Sequence, residues 1–97
     1  MTANEYINGM ADLIRTTGAD VRIEDIAGKQ RIAARFPSVD AMRAEMKKAF
    51  TVNMETLQAL NAVLKALRAS GEIKSATQGY APLVLEQAVE YRMDFGF

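Results

Sequence analysis

Few side chains in this sequence are suited to covalent or acid–base chemistry, because it contains neither histidine nor cysteine. Histidine is the commonest general base, and both residue types are frequent ligands of transition metals. The remaining serine, threonine, tyrosine and lysine side chains have no imidazole to activate them as nucleophiles. Adjacent acids such as Glu24 and Asp25 lack metal-loop spacing, and the six glycines are too scattered for a phosphate-binding loop. The sequence therefore predicts a protein that is not an enzyme, with no catalytic residue, cofactor or metal site.

The densest group of charged side chains is basic and lies early in the chain. It consists of Arg22, Lys29, Arg31 and Arg35. On a β-hairpin, Arg31 and Arg35 point to one face, where they can meet an acidic partner or phosphates. The alternative is that Glu24 and Asp25, on the opposing strand, neutralise them as cross-strand pairs.

The C-terminal run VEYRMDFGF has the period of a β-strand, since large apolar side chains alternate with polar or small ones. Leaving each large apolar side chain in water costs roughly 1.5–3 kcal/mol. We therefore expect these side chains either to cover the protein's own sheet or to form an interface. In the second case the run is an edge strand in which Tyr91 and Arg92 contact a partner protein, or through which a homodimer forms.

Size and charge limit the remaining functions. The 97 residues fit one domain, and no apolar run approaches the roughly 20 residues that span a bilayer, so we expect no membrane partner. The N-terminus lacks a basic start followed by an apolar block, so we expect no signal peptide, and the lack of cysteine is typical of a cytoplasmic protein. Charges cancel overall, but residues 21–74 hold ten basic and six acidic groups. A nucleic-acid partner would need such segregation, because phosphate neutralisation supplies most of the affinity.

The first third of the chain predicts a helix followed by a hairpin. Thr2 and Glu5 fit a capping box, and apolar residues then recur at helical spacing until Gly18, which predicts a helix over 3–17. Residues 21–36 alternate apolar and polar side chains around a central glycine, which favours a β-hairpin. A helix over 23–36 is the alternative, but Gly28 in its middle would cost about 1 kcal/mol.

Two helices and a β-meander are predicted for the rest of the chain. Apolar spacing indicates helices over 39–50 and 54–70, with Asn53 capping the second helix and Gly71 ending it. Residues 73–77 and 80–85 predict strands that turn at Gln78-Gly79, and Pro82 indicates that its strand lies at a sheet edge or is irregular there. The C-terminal strand completes the meander. The predicted fold class is a single α+β domain over residues 1–97.

Residues 38–85 resemble a winged helix-turn-helix domain in the order of their elements: helix, tight turn, longer helix and hairpin. The run Leu64-Leu67-Gly71-Ile73 and the closing Gly79-Tyr80 carry the resemblance, which covers about half of the chain. It implies that the longer helix enters the major groove of DNA. The side chains that would then contact bases or phosphates are Gln58, Asn61, Lys65, Arg68 and, from the wing, Lys74.

The function that the sequence favours is a small non-enzymatic regulator or inhibitor that docks on a partner protein. The predicted contact residues are Arg31, Arg35, Tyr91 and Arg92. A winged-helix DNA-binding transcriptional regulator is the first alternative, and a self-associating virion or scaffold component is the second. Neutral overall charge and the apolar terminal strand place protein docking ahead of DNA binding.

Overall fold

The first two helices of the chain pack on one face of a four-stranded antiparallel sheet, the third helix packs mainly on the first, and the other face of the sheet is uncovered. A computed structural model describes all residues from Met1 to Phe97. The elements follow in the order α1 (Ala3–Arg15), β1 (Asp20–Ile26), β2 (Lys29–Phe36), α2 (Val39–Val52), α3 (Met54–Ala69), β3 (Ser75–Leu83) and β4 (Ala88–Gly96). The predicted α+β class, with a helix, a hairpin, a helix pair and a C-terminal meander, is confirmed.

Helix α1 begins at the predicted capping box. The Thr2 hydroxyl accepts a hydrogen bond from the Glu5 amide at 3.1 Å, and the Glu5 carboxylate accepts one from the Thr2 amide at 3.0 Å. The two bonds satisfy amide groups that have no partner inside the helix. The helix ends at Arg15, two residues earlier than predicted. Gly18 is the last residue of the turn that follows, and its φ is 82°.

The segment after α1 is the predicted hairpin of β1 and β2, so the alternative helix over 23–36 is wrong. Only Ala27 and Gly28 form the turn, and Ile26 pairs with Lys29 across it. Both turn residues have positive φ, 46° and 79°. Two-residue hairpin turns need this left-handed backbone because it matches the twist of the flanking strands.

Helices α2 and α3 are separated by one residue, a shorter break than predicted. Ser38 caps α2 by accepting a hydrogen bond from the Ala41 amide at 3.0 Å. The predicted role of Asn53 as a side-chain cap of α3 is wrong, because its amide donates backwards to the Ala49 carbonyl at 2.8 Å. Gly71 follows α3 with a φ of 80°, which agrees with the predicted stop.

The sheet has the strand order β1-β2-β4-β3, so the C-terminal strand β4 lies in its interior. Both edges of β4 are already paired, so the alternative of an edge strand that pairs with another chain, as in a homodimer, is wrong for β4. The strand at the edge of the sheet beyond β4 is β3. It contains Pro82, which agrees with the prediction that the strand of Pro82 lies at an edge. The predicted turn at Gln78-Gly79 is also wrong, since both residues pair with β4 in mid-strand and the chain turns after Leu83 instead.

The core lies between the helices and the covered face of the sheet, with α1 contributing the largest share of its buried residues. Val89, Tyr91 and Phe95 of β4 point to the helices, which confirms that the C-terminal apolar run covers the protein's own sheet. The Phe95 ring meets the Tyr6 ring edge-to-face, with 5.6 Å between the ring centroids. Helix α3 packs mainly against α1 rather than against the sheet. This arrangement leaves space between α3 and the edge strand.

Candidate functional site

The uncovered face of the sheet carries three of the four residues predicted to contact a protein. Arg31 and Arg35 alternate along β2 to this face, and Arg92 reaches it from β4. Tyr91 points to the opposite face, where it is 8% exposed and its hydroxyl donates to Gln78 Oε1 at 2.7 Å. The structure therefore brings the three arginines together and puts Tyr91 in the core, where it is not available to a docking partner.

Acidic residues of β4 neutralise most of these arginines. Arg31 donates to both carboxylate oxygens of Asp94, at 2.8 and 3.1 Å. Glu90 accepts from Arg92 Nε at 2.7 Å and from Arg22 at 3.1 Å. Among the four residues predicted to make contact, Arg35 is the one exposed arginine without an ion pair.

The internal neutralisation considered as the alternative for the basic cluster therefore exists for Arg22 and Arg31, but with different acids. Glu24 and Asp25 of β1 were the expected partners of Arg31 and Arg35. Asp25 lies on the covered side of the hairpin and accepts from Gln30 at 2.9 Å. Glu24 shares the uncovered face, but its carboxylate comes only within 3.8 Å of Arg22. The difference arises because β4 lies beside β2, which the order of residues along the chain does not reveal.

The ion pair of Arg31 and Asp94 keeps both of its members charged over the ordinary pH range. The hydrogen bonds from the Arg31 guanidinium hold the pKa of Asp94 below its usual value, and the same contacts raise the pKa of Arg31. Ala33 lies between Arg22 and Arg92 in the register and is only 1% exposed, so their long side chains cover it. The uncovered face is thus largely neutralised by its own residues, and an acidic partner would have to displace these contacts.

The residues predicted to bind DNA lie on the outer side of α3 and just before β3. Gln58, Asn61, Lys65 and Arg68 are all exposed, as is Lys74. None of the three cations forms an ion pair. The β3–β4 hairpin adds no lysine or arginine before Arg92, so the cations of this surface are confined to the end of α3 and the start of β3.

An open and mostly apolar groove of about 290 Å³ lies between α3 and the covered side of β3. Helix α3 contributes Leu57, Asn61 and Leu64 to its lining. The sheet contributes residues of its edge and of the neighbouring strand, among them Ala76, Gln78 and Met93. The groove exists because α3 rests on α1 and leaves these side chains only partly covered.

One end of the groove is basic. Asn61 and Leu64 also line an adjoining depression of about 440 Å³, together with Lys65 and Arg68. The groove itself is neutral, because no charged side chain lines it. An apolar floor, an amide rim and a cationic end fit apolar side chains accompanied by a carboxylate.

Sequence reasoning missed the groove because its apolar residues have the spacing of ordinary core residues. Leu57 and Leu64 belong to the strong helical period of α3, and Met93 belongs to the alternation of β4. Nothing in either period tells how far α3 stands from the sheet. A usable signal was present in β3, whose nine residues contain no charged side chain although β3 is an edge strand.

Comparison of the chain with protein-family models, with curated proteins and with solved structures finds no match. None of the helices reaches the length and hydrophobicity required for crossing a membrane. No group of three or more acidic side chains converges on a point where a metal ion could be held. The properties of the groove and of the charged surfaces are therefore the basis for assigning a function.

Proposed function

We propose that the protein is a small regulator or inhibitor, without enzymatic activity, that acts in the cytoplasm by docking on a partner protein. The observation that carries this proposal is the open groove between α3 and β3. Exposed concave apolar surface is costly in water and is typical of binding sites. The docking site is the groove together with its basic end at Lys65 and Arg68.

The groove takes precedence over the uncovered sheet face as the docking site. Arg31 and Arg92 form ion pairs with carboxylates of β4, and releasing them would leave Asp94 unpaired and Glu90 with Arg22 alone. Leaving a charged partner without its counterion costs more than a new surface ion pair contributes. Arg35 remains available, and a single exposed arginine adds little affinity by itself.

A DNA-binding regulator of the winged-helix kind is the second candidate. The exposed polar face of α3, with Gln58, Asn61, Lys65 and Arg68, supports it. The β3–β4 hairpin counts against it, because β3 and the turn after it contain no lysine or arginine and a wing without cations does not contact phosphates. A self-associating scaffold component ranks third, supported by the unpaired edge of β3.

Filling the groove tests the docking function. Asn61→Trp puts a large side chain at the groove rim, and we expect it to abolish retention of a partner that the wild-type protein captures from its native host. The matched control is Gln58→Trp, because Gln58 is exposed on the same helix but does not line the groove. The control variant should capture the partner as well as the wild type does.

Equal capture by both variants would refute the groove as the docking site. Circular dichroism and urea unfolding of both variants keep the comparison valid, since both replace an exposed side chain of α3 and should leave the fold intact. A double variant, Arg31→Glu with Arg35→Glu, probes the uncovered face of the sheet. If that double variant no longer captured the partner and Asn61→Trp still did, the docking site would be the uncovered face and not the groove.

A further inference from the structure

The two edge strands of the sheet differ in how they are protected. β1 carries four charged residues among its seven, which are Asp20, Arg22, Glu24 and Asp25. β3 is longer, with nine residues, and none is charged. Charges on an edge strand discourage pairing with another chain, and a long uncharged edge invites it. The edge of β1 is therefore blocked, and that of β3 is open until Pro82, which has no N–H to donate.

The open edge of β3 runs along the groove. Ala76 and Gln78 point to the covered side of the sheet and line the groove. A strand added beside β3 would lie about 4.8 Å from it and would send every second side chain to the same side. Those side chains would lie beside Leu57 and Leu64 of α3, where the groove is apolar. Edge and groove thus form one continuous site for an extended chain.

The charge around this site specifies the chemistry of its occupant. Lys65 and Arg68 stand at the end of the groove, Lys74 immediately precedes β3, and none of them has an ion pair. The acids at the two ends of α3, Glu55 and Glu72, are exposed and do not line the groove. Three cations without counterions complement a carboxylate carried by the partner.

We propose that β3 accepts a fifth strand from a partner protein: an extended segment with apolar side chains at alternate positions and at least one acidic residue. Backbone hydrogen bonds to the β3 edge supply affinity, and the groove and the cations select the sequence. The proposal rests on the docking function proposed above. It adds the conformation of the bound segment and the charge that the segment must carry.

A second copy of this chain is a poorer occupant than an acidic segment. Its most accessible strand would be another β3, which brings no carboxylate to Lys65, Arg68 or Lys74. If β1 of the second copy paired with β3 instead, the charged side chains of β1 would lie beside a strand that carries no charge. Desolvating those charges without pairing them is unfavourable.

The test is selection of short random peptides, displayed on phage, against the full-length protein. We expect the enriched peptides to alternate apolar and polar residues and to contain Asp or Glu. Binding of the synthesised peptides should slow hydrogen exchange of β3 amides and leave β1 amides unchanged. The double variant Lys65→Glu, Arg68→Glu should bind them about tenfold more weakly or worse. The control double variant Arg43→Glu, Lys47→Glu makes the same charge change on exposed residues of α2 and should bind within about twofold of the wild type.

Other outcomes overturn the proposal in different ways. Peptides with helical spacing that protect α3 amides instead of β3 amides would refute strand addition and leave docking in the groove intact. If selection on the wild-type protein enriched no peptide beyond those enriched on the Asn61→Trp variant, the result would count against the docking function as well. Protection of β3 amides that rises with protein concentration and without peptide would identify a second copy as the occupant.

Discussion

Glu90 is the single charged residue among those that are buried, although it lies on the uncovered face of the sheet. It is 6% exposed because Arg22 and Arg92 enclose it from two sides and Arg35 lies opposite it on β2. Its carboxylate accepts from two guanidinium groups at 3.1 and 2.7 Å, and these charge-assisted bonds offset the loss of water. Glu90 therefore holds β1 and β4 together across β2.

Removing this carboxylate should destabilise the sheet. We expect Glu90→Ala to lower the free energy of unfolding by about 1–3 kcal/mol, because two arginines lose their shared acceptor. Urea unfolding measures the change. Glu24→Ala is the control, since its carboxylate lies 3.8 Å from Arg22 and is partly exposed, and should change stability by less than about 0.5 kcal/mol. Equal effects of the two substitutions would contradict the bridging role of Glu90.

The buried tyrosines predict how stability changes with alkaline pH. Burial raises the pKa of both Tyr6 and Tyr91 from 10 to about 12, so the folded state keeps them neutral where the unfolded chain ionises them. Their contribution to stability is fully present below about pH 10 and falls as the pH rises toward 12. The loss should reach up to about 1.4 kcal/mol per pH unit for each ring.

Urea unfolding at a series of alkaline pH values measures this slope. Tyr91→Phe removes one of the two groups and should reduce the slope between pH 10 and 12 by about half. It also removes the hydrogen bond to Gln78, which lowers stability equally at all of these pH values. An unchanged slope in the variant would show that Tyr91 ionises as readily in the folded protein as in the unfolded chain.

At the scale of the elements, α3 is attached to the rest of the molecule along a narrow seam. Leu60 and Leu67 are its only buried residues, and both join the core through the side facing α1. The two helices approach closely at Gly9, where a Cβ would lie 3.1 Å from a methyl carbon of Leu60. This close approach on α1, rather than contact with the sheet, sets the position of α3 and so the width of the groove.

The β1–β2 turn has a residue poorly suited to its backbone, which gives a stabilising substitution. Ala27 has a φ of 46°, a conformation that asparagine tolerates better than alanine. We expect Ala27→Asn to raise the free energy of unfolding by about 0.5–1 kcal/mol, measured by urea unfolding. Ala44→Asn is the control, because Ala44 is exposed inside α2, where asparagine should lower stability by about 0.5 kcal/mol. A loss of stability in both variants would contradict the assigned turn.

At the scale of the whole molecule, twelve basic and twelve acidic residues leave no net charge. The cations without ion pairs near the groove, Lys65, Arg68 and Lys74, are not reinforced by the β3–β4 hairpin. Neutralising three phosphates gives a slope of about −3 for log K against log salt, which is small for a DNA-binding protein.

We therefore expect no shift of random duplex DNA by micromolar protein at low ionic strength in a gel assay. A salt-dependent shift would favour the winged-helix function instead. In that case Lys65→Glu should weaken DNA binding while the Arg43→Glu control leaves it unchanged, since Arg43 lies on α2 outside the predicted contact surface. Light scattering of the same samples should give a monomer, and a concentration-dependent dimer would support the self-associating alternative.

The sequence by itself determined the elements, because their signals are local. The capping box of Thr2 and Glu5, the helix stop at Gly71 and the apolar periods act over a few residues, so they are recognisable without knowledge of the tertiary contacts. The hairpin of residues 21–36 was also predictable, since a glycine between two alternating runs favours a turn. The turn wrongly predicted at Gln78-Gly79 shows the limit, because pairing with β4 keeps both residues extended.

Only the tertiary structure decided which residues face one another. Strand period gives the face of a side chain but not its neighbour, so the pairing of Arg31 with Asp94 and the interior place of β4 depend on strand order. The groove has the same origin: Leu57 and Leu64 have the spacing of core residues, and they stay partly uncovered because α3 packs on α1. Local propensities are encoded residue by residue, whereas these contacts join residues distant in sequence and follow from how the elements pack.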